Sequence, residues 1–226
     1  MQSSTGFSLL LTFSQQMFGN FGYTLATTLS ELKHQVLVID ESPEKIDKIG
    51  DKVTNAVIGD ATNEAVLRAA GVKCCDCAIV CMENNLSDSI LITLLLKELG
   101  IPRIVVRATD ERQKKVLLKV GADTVVLPEK ESGTKLAYTL SKRDVVDYFA
   151  PSSDFTIAEI ITPKNWIGKS VTEIDVRKKY NINIIAVCSP DEQEFSLLSD
   201  PTRKFAENEH LVVAGNSKAM EKLTGK

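Results

Sequence analysis

The chain has 226 residues, 43% of them hydrophobic and 25% charged, with 27 basic and 30 acidic side chains and a formal net charge of -3. This is the composition of a folded globular chain of one large or two small domains, and it excludes disordered, collagen-like and disulfide-stapled classes. A general nucleic-acid binder needs a basic stripe to neutralise phosphates, and no Lys or Arg occurs before Lys33.

No apolar run approaches the roughly 18–20 residues that cross a bilayer. The longest candidate, Ile90 to Leu96, contains Thr93 and lies between Asp88 and Lys97. Phe7 to Phe13 is apolar but lacks the basic n-region and cleavage site of a signal peptide. Of the 5 Cys, most crowd between Cys74 and Cys81. Thiols used as small hydrophobes suit a reducing compartment, so a cytoplasmic location is expected.

In chain order, short β-branched runs alternate with amphipathic stretches. Phe7 to Phe13 is the first strand candidate. Phe21, Leu25, Leu29 and Leu32 then share one helical face. Val36 to Ile39, Ala56 to Ile58, Ala78 to Val80, Arg103 to Val106 and Thr124 to Leu127 follow as nearly continuous apolar runs. Such runs mark strands buried on both faces of a parallel sheet. Gly71, Gly100 and Gly121 stand where the intervening helices should stop. The rhythm predicts an open parallel α/β sheet.

A longer helix is expected from Glu129 to Phe149, ended by Pro151-Ser152-Ser153-Asp154, which reads as a domain boundary. Beyond it the pattern predicts strands at Phe155 to Ile161, Ile182 to Val187, Phe195 to Leu198 and His210 to Ala214. Short helices are expected at Val171 to Lys179 and Lys218 to Leu223. This is a small α+β lobe of roughly 70 residues, whose core dimerisation would help.

The stretch Met17-Phe18-Gly19-Asn20-Phe21-Gly22 matches two of the three glycines of a phosphate-binding turn, with Met17 in place of the first. Such glycines let backbone N–H groups approach a pyrophosphate at a helix N-terminus. Asp40 ends the second strand at the distance expected of an acid on ribose hydroxyls. Asp60, in Gly59-Asp60-Ala61-Thr62, reads equally as part of an adenosine pocket or as a helix cap. Glu83, after the fourth strand, lies at the carboxyl edge where ligands bind, or simply in a polar loop. Arg107, after the fifth, is placed to meet phosphate or to pair with an acid.

Two alternatives to a nucleotide sensor stand beside it. Burying Gln15 and Gln16 at the end of a central strand would cost about 1–3 kcal/mol each, and Met17 replaces a glycine; both favour an assembly subunit without ligand. An NAD(P)-dependent oxidoreductase is the other, although no acid–base group can be nominated beside a nicotinamide. Cys74 and Cys77 form one C-x-x-C, but zinc needs four ligands and His34 and His210 are remote in sequence.

Taken in order, Gly19-Asn20-Phe21-Gly22, Val38-Ile39-Asp40, Gly59-Asp60-Ala61-Thr62, Gly121-Ala122-Asp123, Pro128-Glu129, Trp166 to Ser170 and Asn181 to Ala186 resemble one family. It is the RCK family (regulator of K+ conductance, also KTN or TrkA-type), and the likeness is to the gating subunits of Ktr-type potassium uptake systems. The resemblance implies a Rossmann-like RCK-N domain over residues 1–128, a crossover helix and linker over 129–150, and an RCK-C lobe over 151–226. It implies homodimers in an octameric ring under a membrane potassium channel or transporter subunit, with no nucleic-acid partner. An adenine nucleotide, ATP/ADP or NAD(H), would control potassium flux.

By matched position, Gly19, Asn20, Phe21 and Gly22 would cradle phosphate, and Asp40 would hold the ribose. Asp60 and Ala61 would lie near adenine, with Glu83 and Arg107 at the same edge. Glu129 matches a residue beside a divalent cation between subunits. Asn20 stands where the family usually has an Arg that recognises the terminal phosphate of ATP; its loss removes about 1.5–3 kcal/mol of charge-assisted contact. Ile174-Asp175-Val176-Arg177 with Asn183, Ile184 and Ala186 resembles the cyclic di-AMP site of RCK-C lobes. Read as residues alone, these are equally a surface Arg and a strand-edge Asn.

Overall fold

The β-branched runs fold as strands in the computed structural model, which describes residues 7–13, 20–82, 85–141, 145–152, 154–190 and 194–223. The chain divides into two compact units, Met1–Lys130 and Glu131–Lys226. In the first, strands β1 (Ser8–Phe13), β2 (Gln35–Asp40), β3 (Asn55–Ile58), β4 (Cys77–Cys81), β5 (Ile104–Arg107) and β6 (Thr124–Val126) alternate with helices. The helices are α1 (Asn20–Glu31), α2 (Pro43–Gly50), α3 (Glu64–Ala69), α4 (Leu86–Glu98) and α5 (Glu111–Val120). The sheet order is β3-β2-β1-β4-β5-β6, and every pairing is parallel. The parallel α/β reading of the sequence therefore holds.

Gln15 and Gln16 lie outside the described residues; strand β1 covers Ser8–Phe13, within the candidate Phe7 to Phe13. Leu10 and Leu11 are fully buried in its centre. Its start is pinned by the cysteine-rich segment: Ser8 N–H donates to Asp76 Oδ2 at 2.8 Å, and Asp76 N–H donates to the Ser8 carbonyl at 2.8 Å. The thiols are all free; Cys75, Cys81 and Cys188 are buried and pack as small hydrophobes, as the sequence implied, whereas Cys77 is half-buried and Cys74 exposed.

Helix α4 carries two hydroxyls on its buried face. Each is satisfied within the helix, Thr93 Oγ1 donating to the Ser89 carbonyl at 2.6 Å and Ser89 Oγ to that of Asn85 at 2.9 Å. Its other sides stay apolar, with Leu91 and Leu94 exposed. Gly100 and Gly121 follow α4 and α5 at φ of 81° and 124°, where a Cβ would be strained.

The second unit is antiparallel. Strands β7 (Val145–Ser152), β8 (Phe155–Ile161), β9 (Ile182–Cys188), β10 (Ser196–Leu197) and β11 (His210–Asn216) order as β10-β9-β11-β8-β7. Helices α7 (Val171–Ile174), α8 (Val176–Tyr180) and α9 (Ser217–Leu223) complete it. Its core gathers Trp166, Phe205, Leu211, Val213 and Met220.

Two expectations are corrected. The helix expected from Glu129 to Phe149 is α6 (Pro128–Ser141) followed by strand β7. No α6 residue is buried, so packing does not prolong the helix. Val145 and Phe149 instead pair with Ile160 and Ile157 along β8. Pro151 lies near the end of β7, an edge strand, where a missing N–H is tolerated, so Pro151 and Ser152 belong to a strand and not to the end of a helix. The single helix expected at Val171 to Lys179 is broken at Asp175, which takes φ 55°. Ile174 and Val176 are both buried, and two residues apart on one continuous helix they would face nearly opposite ways.

Backbone packing at β11 generates a test. A Cβ on Gly215 would meet Ile182 Cγ2 at 2.6 Å and the Asn181 carbonyl oxygen at 2.9 Å. Gly215→Ala is expected to cost about 1–3 kcal/mol, read from the urea midpoint. Gly59→Ala, which meets only the end of the Val66 side chain at 2.6 Å, is expected to cost less.

Candidate functional site

Parallel pairing brings the carboxyl ends of β1 to β6 to one edge. Asp40, the last residue of β2, is 1% exposed. Its Oδ1 accepts the Ser42 N–H at 2.8 Å, and its Oδ2 faces Lys45 Nζ at 3.3 Å with both side chains at or below 10% exposure. Lys45 rides on the first turn of α2, which Pro43 opens. A buried carboxylate is tolerable only with such partners.

Asp60 follows the neighbouring strand β3. Its Oδ1 accepts Thr62 N–H at 2.7 Å and Thr62 Oγ1 at 2.6 Å, a closed Asx turn. The cap of α3 is Asn63, whose side chain accepts Ala65 N–H at 2.9 Å; neither Asp60 nor Thr62 is that cap. Ala61 is buried beside Asp60. Asp40 and Asp60 thus sit at the ends of adjacent strands.

Arg107 ends β5, three strands from β2, roughly 14 Å away at the usual strand spacing. Its Nη2 donates to Glu129 Oε1 at 2.5 Å, with the Arg side chain 9% exposed and that of Glu129 60%. Of the two roles open to Arg107, it takes the ion pair. Glu129 therefore offers one carboxylate already engaged by a guanidinium. A hard divalent cation takes six or more oxygen ligands, so this chain by itself does not fit a cation there.

Gly22 is buried and Phe21 half-buried in the first turn of α1, which Asn20 opens. Gly19 and Glu83 lie outside the described residues, with Met17 and Phe18. Lys45 was missed by sequence reasoning. Its only signal is that it follows Asp40 by five residues, just after a proline-opened helix.

The second unit carries a concavity of about 350 Å3. Asp175, Val176, Arg177, Asn183 and Ile184 line it, as the resemblance groups them. Ile174 and Ala186 are buried in the core beneath. Arg177 Nε donates to Asn183 Oδ1 at 2.6 Å, a contact that uses one of the guanidinium's donors. Left-handed residues bracket α8, Asp175 at φ 55° and Asn181 at φ 53°. Val171, Thr172, Ile182, Leu198 and Pro201 complete the lining; nothing in the residue types of Leu198 and Pro201 announced it.

The chain thus carries a dinucleotide-type sheet with a buried acid at its switch-point edge, followed in sequence by a small antiparallel lobe. Residues 18–128 match the TrkA-N domain and residues 155–225 the TrkA-C domain. The chain is 35% identical over 198 residues to Ktr system potassium uptake protein C of Bacillus subtilis (strain 168), covering 88% of this chain and 89% of that protein. It is also 35% identical over 205 residues to Ktr system potassium uptake protein A of the same organism, 91% of each. This chain belongs to the TrkA-type (RCK, KTN) family. Among solved structures, the GsuK channel matches with TM-score 0.70 at 20% identity, over 100% of this chain and 41% of that one. The GsuK channel bound to NAD matches with TM-score 0.67 at 19% identity, again over 100% and 41%. These two likenesses establish the shared fold.

Thiol chemistry tests the packing behind this edge. Burial pushes the Cys81 thiol up to about 12, against a smaller opposing pull from the Arg107 charge, and burial also raises Cys75 and Cys77. Only thiolates alkylate, and these stay protonated well above neutrality. Iodoacetamide at pH 8 is expected to label exposed Cys74 and spare Cys81, as read by peptide mass. Equal labelling of the two would contradict the packing. Because the folded value of Cys81 lies above the unfolded one, its contribution to stability is present below about pH 9 and is lost as pH rises toward 12.

Proposed function

We propose that this chain is the cytosolic regulatory subunit of a potassium uptake system. An adenine nucleotide binds at the carboxyl edge of the first unit, and its occupancy sets the gating of a membrane channel or transporter subunit. The observation that carries the reading is Asp40: a buried, ionically balanced carboxylate at the end of β2, the strand beside β1. The names of the relatives support the potassium role, and a neighbour of the same fold is described as bound to NAD.

In this reading Gly19 and Gly22 cradle phosphate with Asn20 and Phe21, Asp40 takes the ribose hydroxyls, and Asp60 and Ala61 flank adenine. Arg107, held by Glu129, borders the same edge at the end of β5, and Glu83 is assigned to that edge from its place after β4 in the sequence. The exposed Leu91 and Leu94 of α4 cover one another in dimers that build an octameric ring, and a divalent cation between subunits would draw its remaining ligands from a second copy. In the second lobe Arg177 meets phosphate and Asn183 a base edge of cyclic di-AMP. The chain acts at the inner face of the cell membrane through its partner, and among the described residues no helix is long and apolar enough to cross a membrane. Ligand favours one ring state by its difference in affinity, typically about 1–3 kcal/mol per coupled pair of sites, so several subunits must act together.

The chain senses its ligand and leaves it unchanged. Of its two histidines, His34 precedes β2, at the end of the strand opposite the carboxyl edge, and His210 belongs to the second unit, where it opens β11 with Nδ1 2.6 Å from Glu159 Oε1. One observation favours a ligand-free assembly subunit, since both oxygens of Asp40 are already engaged.

Calorimetry of the full chain with ADP, ATP, NADH and cyclic di-AMP separates these readings. A sensor binds at least one adenine nucleotide. Asp40→Asn is then expected to weaken that binding about 10- to 100-fold, the weight of a charge-assisted hydrogen bond, and to leave cyclic di-AMP unaffected. Arg177→Ala is expected to do the reverse. Silence toward all four ligands would support the assembly subunit and contradict the sensor.

A further inference from the structure

The concavity of the second unit has two walls. One is built by α7, α8 and β9 and carries Arg177 and Asn183. The other is Leu198 and Pro201, from the segment between β10 and β11. That segment bridges to the rest of the unit at Ile167–Phe205 and Ser170–Lys204. At the wall itself Leu198 N–H donates to the Ile185 carbonyl at 3.1 Å, and the Pro201 carbonyl accepts Thr172 N–H and Oγ1, each at a long 3.4 Å. Side chains add further ties.

The strongest of these is a clasp. Glu209 is 3% exposed, and its carboxylate accepts Arg203 Nη1 at 3.1 Å, Arg203 Nη2 at 2.5 Å and the Ala206 N–H at 2.9 Å. Its carbonyl accepts Thr162 N–H at 2.8 Å and Thr162 Oγ1 at 3.1 Å, fastening it to the end of β8. Arg203 lies two residues beyond Pro201. Between them Asp200 Oδ1 closes a turn on Thr202, accepting N–H at 2.8 Å and Oγ1 at 2.7 Å. Neither Glu209 nor Arg203 lines the concavity. A buried ion pair is a weak source of stability after desolvation, but a forked guanidinium–carboxylate pair fixes direction as well as distance.

We propose that Glu209 is a positioning residue: through Arg203 it holds the Pro201 wall at the spacing that lets the concavity grip a cyclic dinucleotide. This rests on the cyclic di-AMP reading of the second lobe and deepens it.

The test uses the full chain and cyclic di-AMP. Glu209→Gln keeps the shape and removes the charge; Arg203→Lys keeps the charge and removes the fork. Both are expected to weaken binding about 5- to 30-fold, while melting stays cooperative. A purely structural role would lower Tm and leave the affinity of the folded chain unchanged. Trp166, the single Trp of the chain, gives a second readout. Its ring packs on Phe205 of this segment at 6.3 Å and on Tyr180 of α8 at 5.4 Å. Cyclic di-AMP is expected to shift its emission in the parent and not in either variant at the same concentration. Should the buried variants fail to fold, Asp200→Ala, at an exposed position, is expected to weaken binding in the same direction. Affinity within about two-fold of the parent in folded variants would overturn the positioning role alone. No binding by the parent would overturn the second-lobe reading and this inference together.

Discussion

With β1 hydrogen-bonded in parallel to β2 on one side and β4 on the other, both edges of the central strand are used. Its apolar side chains pack on both faces, Leu10 in one cluster and Leu9 and Leu11 in another. A slip of one residue would exchange those faces, and the paired hydrogen bonds between Ser8 and Asp76 oppose it at the start of the strand. Because all six strands run the same way, their carboxyl ends share one edge. The order reverses direction between β1 and β4, the point at which sheets of this kind receive a ligand. The position of Asp40 and Asp60 on neighbouring strand ends follows from that pairing alone.

Charge at this edge is held in pairs. Asp40 is balanced by Lys45 in a nearly dry environment, and Arg107 by Glu129 at the surface. Neither pair resembles a proton-transfer device. Both keep an ion in a fixed place, which suits recognition of a ligand whose own charges replace or extend the pair. The second unit repeats the device with Arg203 and Glu209 behind one wall of its concavity, while on the other wall Arg177 donates to the neutral amide of Asn183.

The parallel sheet was legible because strands such as Val36 to Ile39 must be apolar on both faces, a demand few other structures make. Asp40 was legible through its place at the end of such a strand. The strand Val145–Ser152 was not, since the residues before it have helical periodicity and only pairing with β8 decides where the helix stops. The break at Asp175 was hidden for a similar reason: a short apolar pattern does not reveal that two neighbouring residues must both face one core. Lys45 escaped because a lysine on a helix reads as solvent-facing until a buried carboxylate is found beside it. Leu198 and Pro201 line a site through the path of an irregular segment, which residue type does not encode. The glycine turn at Gly19 and the acid Glu83 fall outside the described residues, so the phosphate end of the site rests on the sequence pattern.

The carboxyl edge around Asp40 is proposed to hold an adenosine phosphate and to return it intact. The most direct measurement is the mass of whatever small molecule is released when freshly purified chain is denatured, compared between the parent and Asp40→Asn. An unmodified adenine nucleotide is expected from the parent, at a level approaching one per chain, with a clear loss of it from the variant. An equal nucleotide content in both, or a parent that carries none and takes up none when supplied, would contradict the proposal.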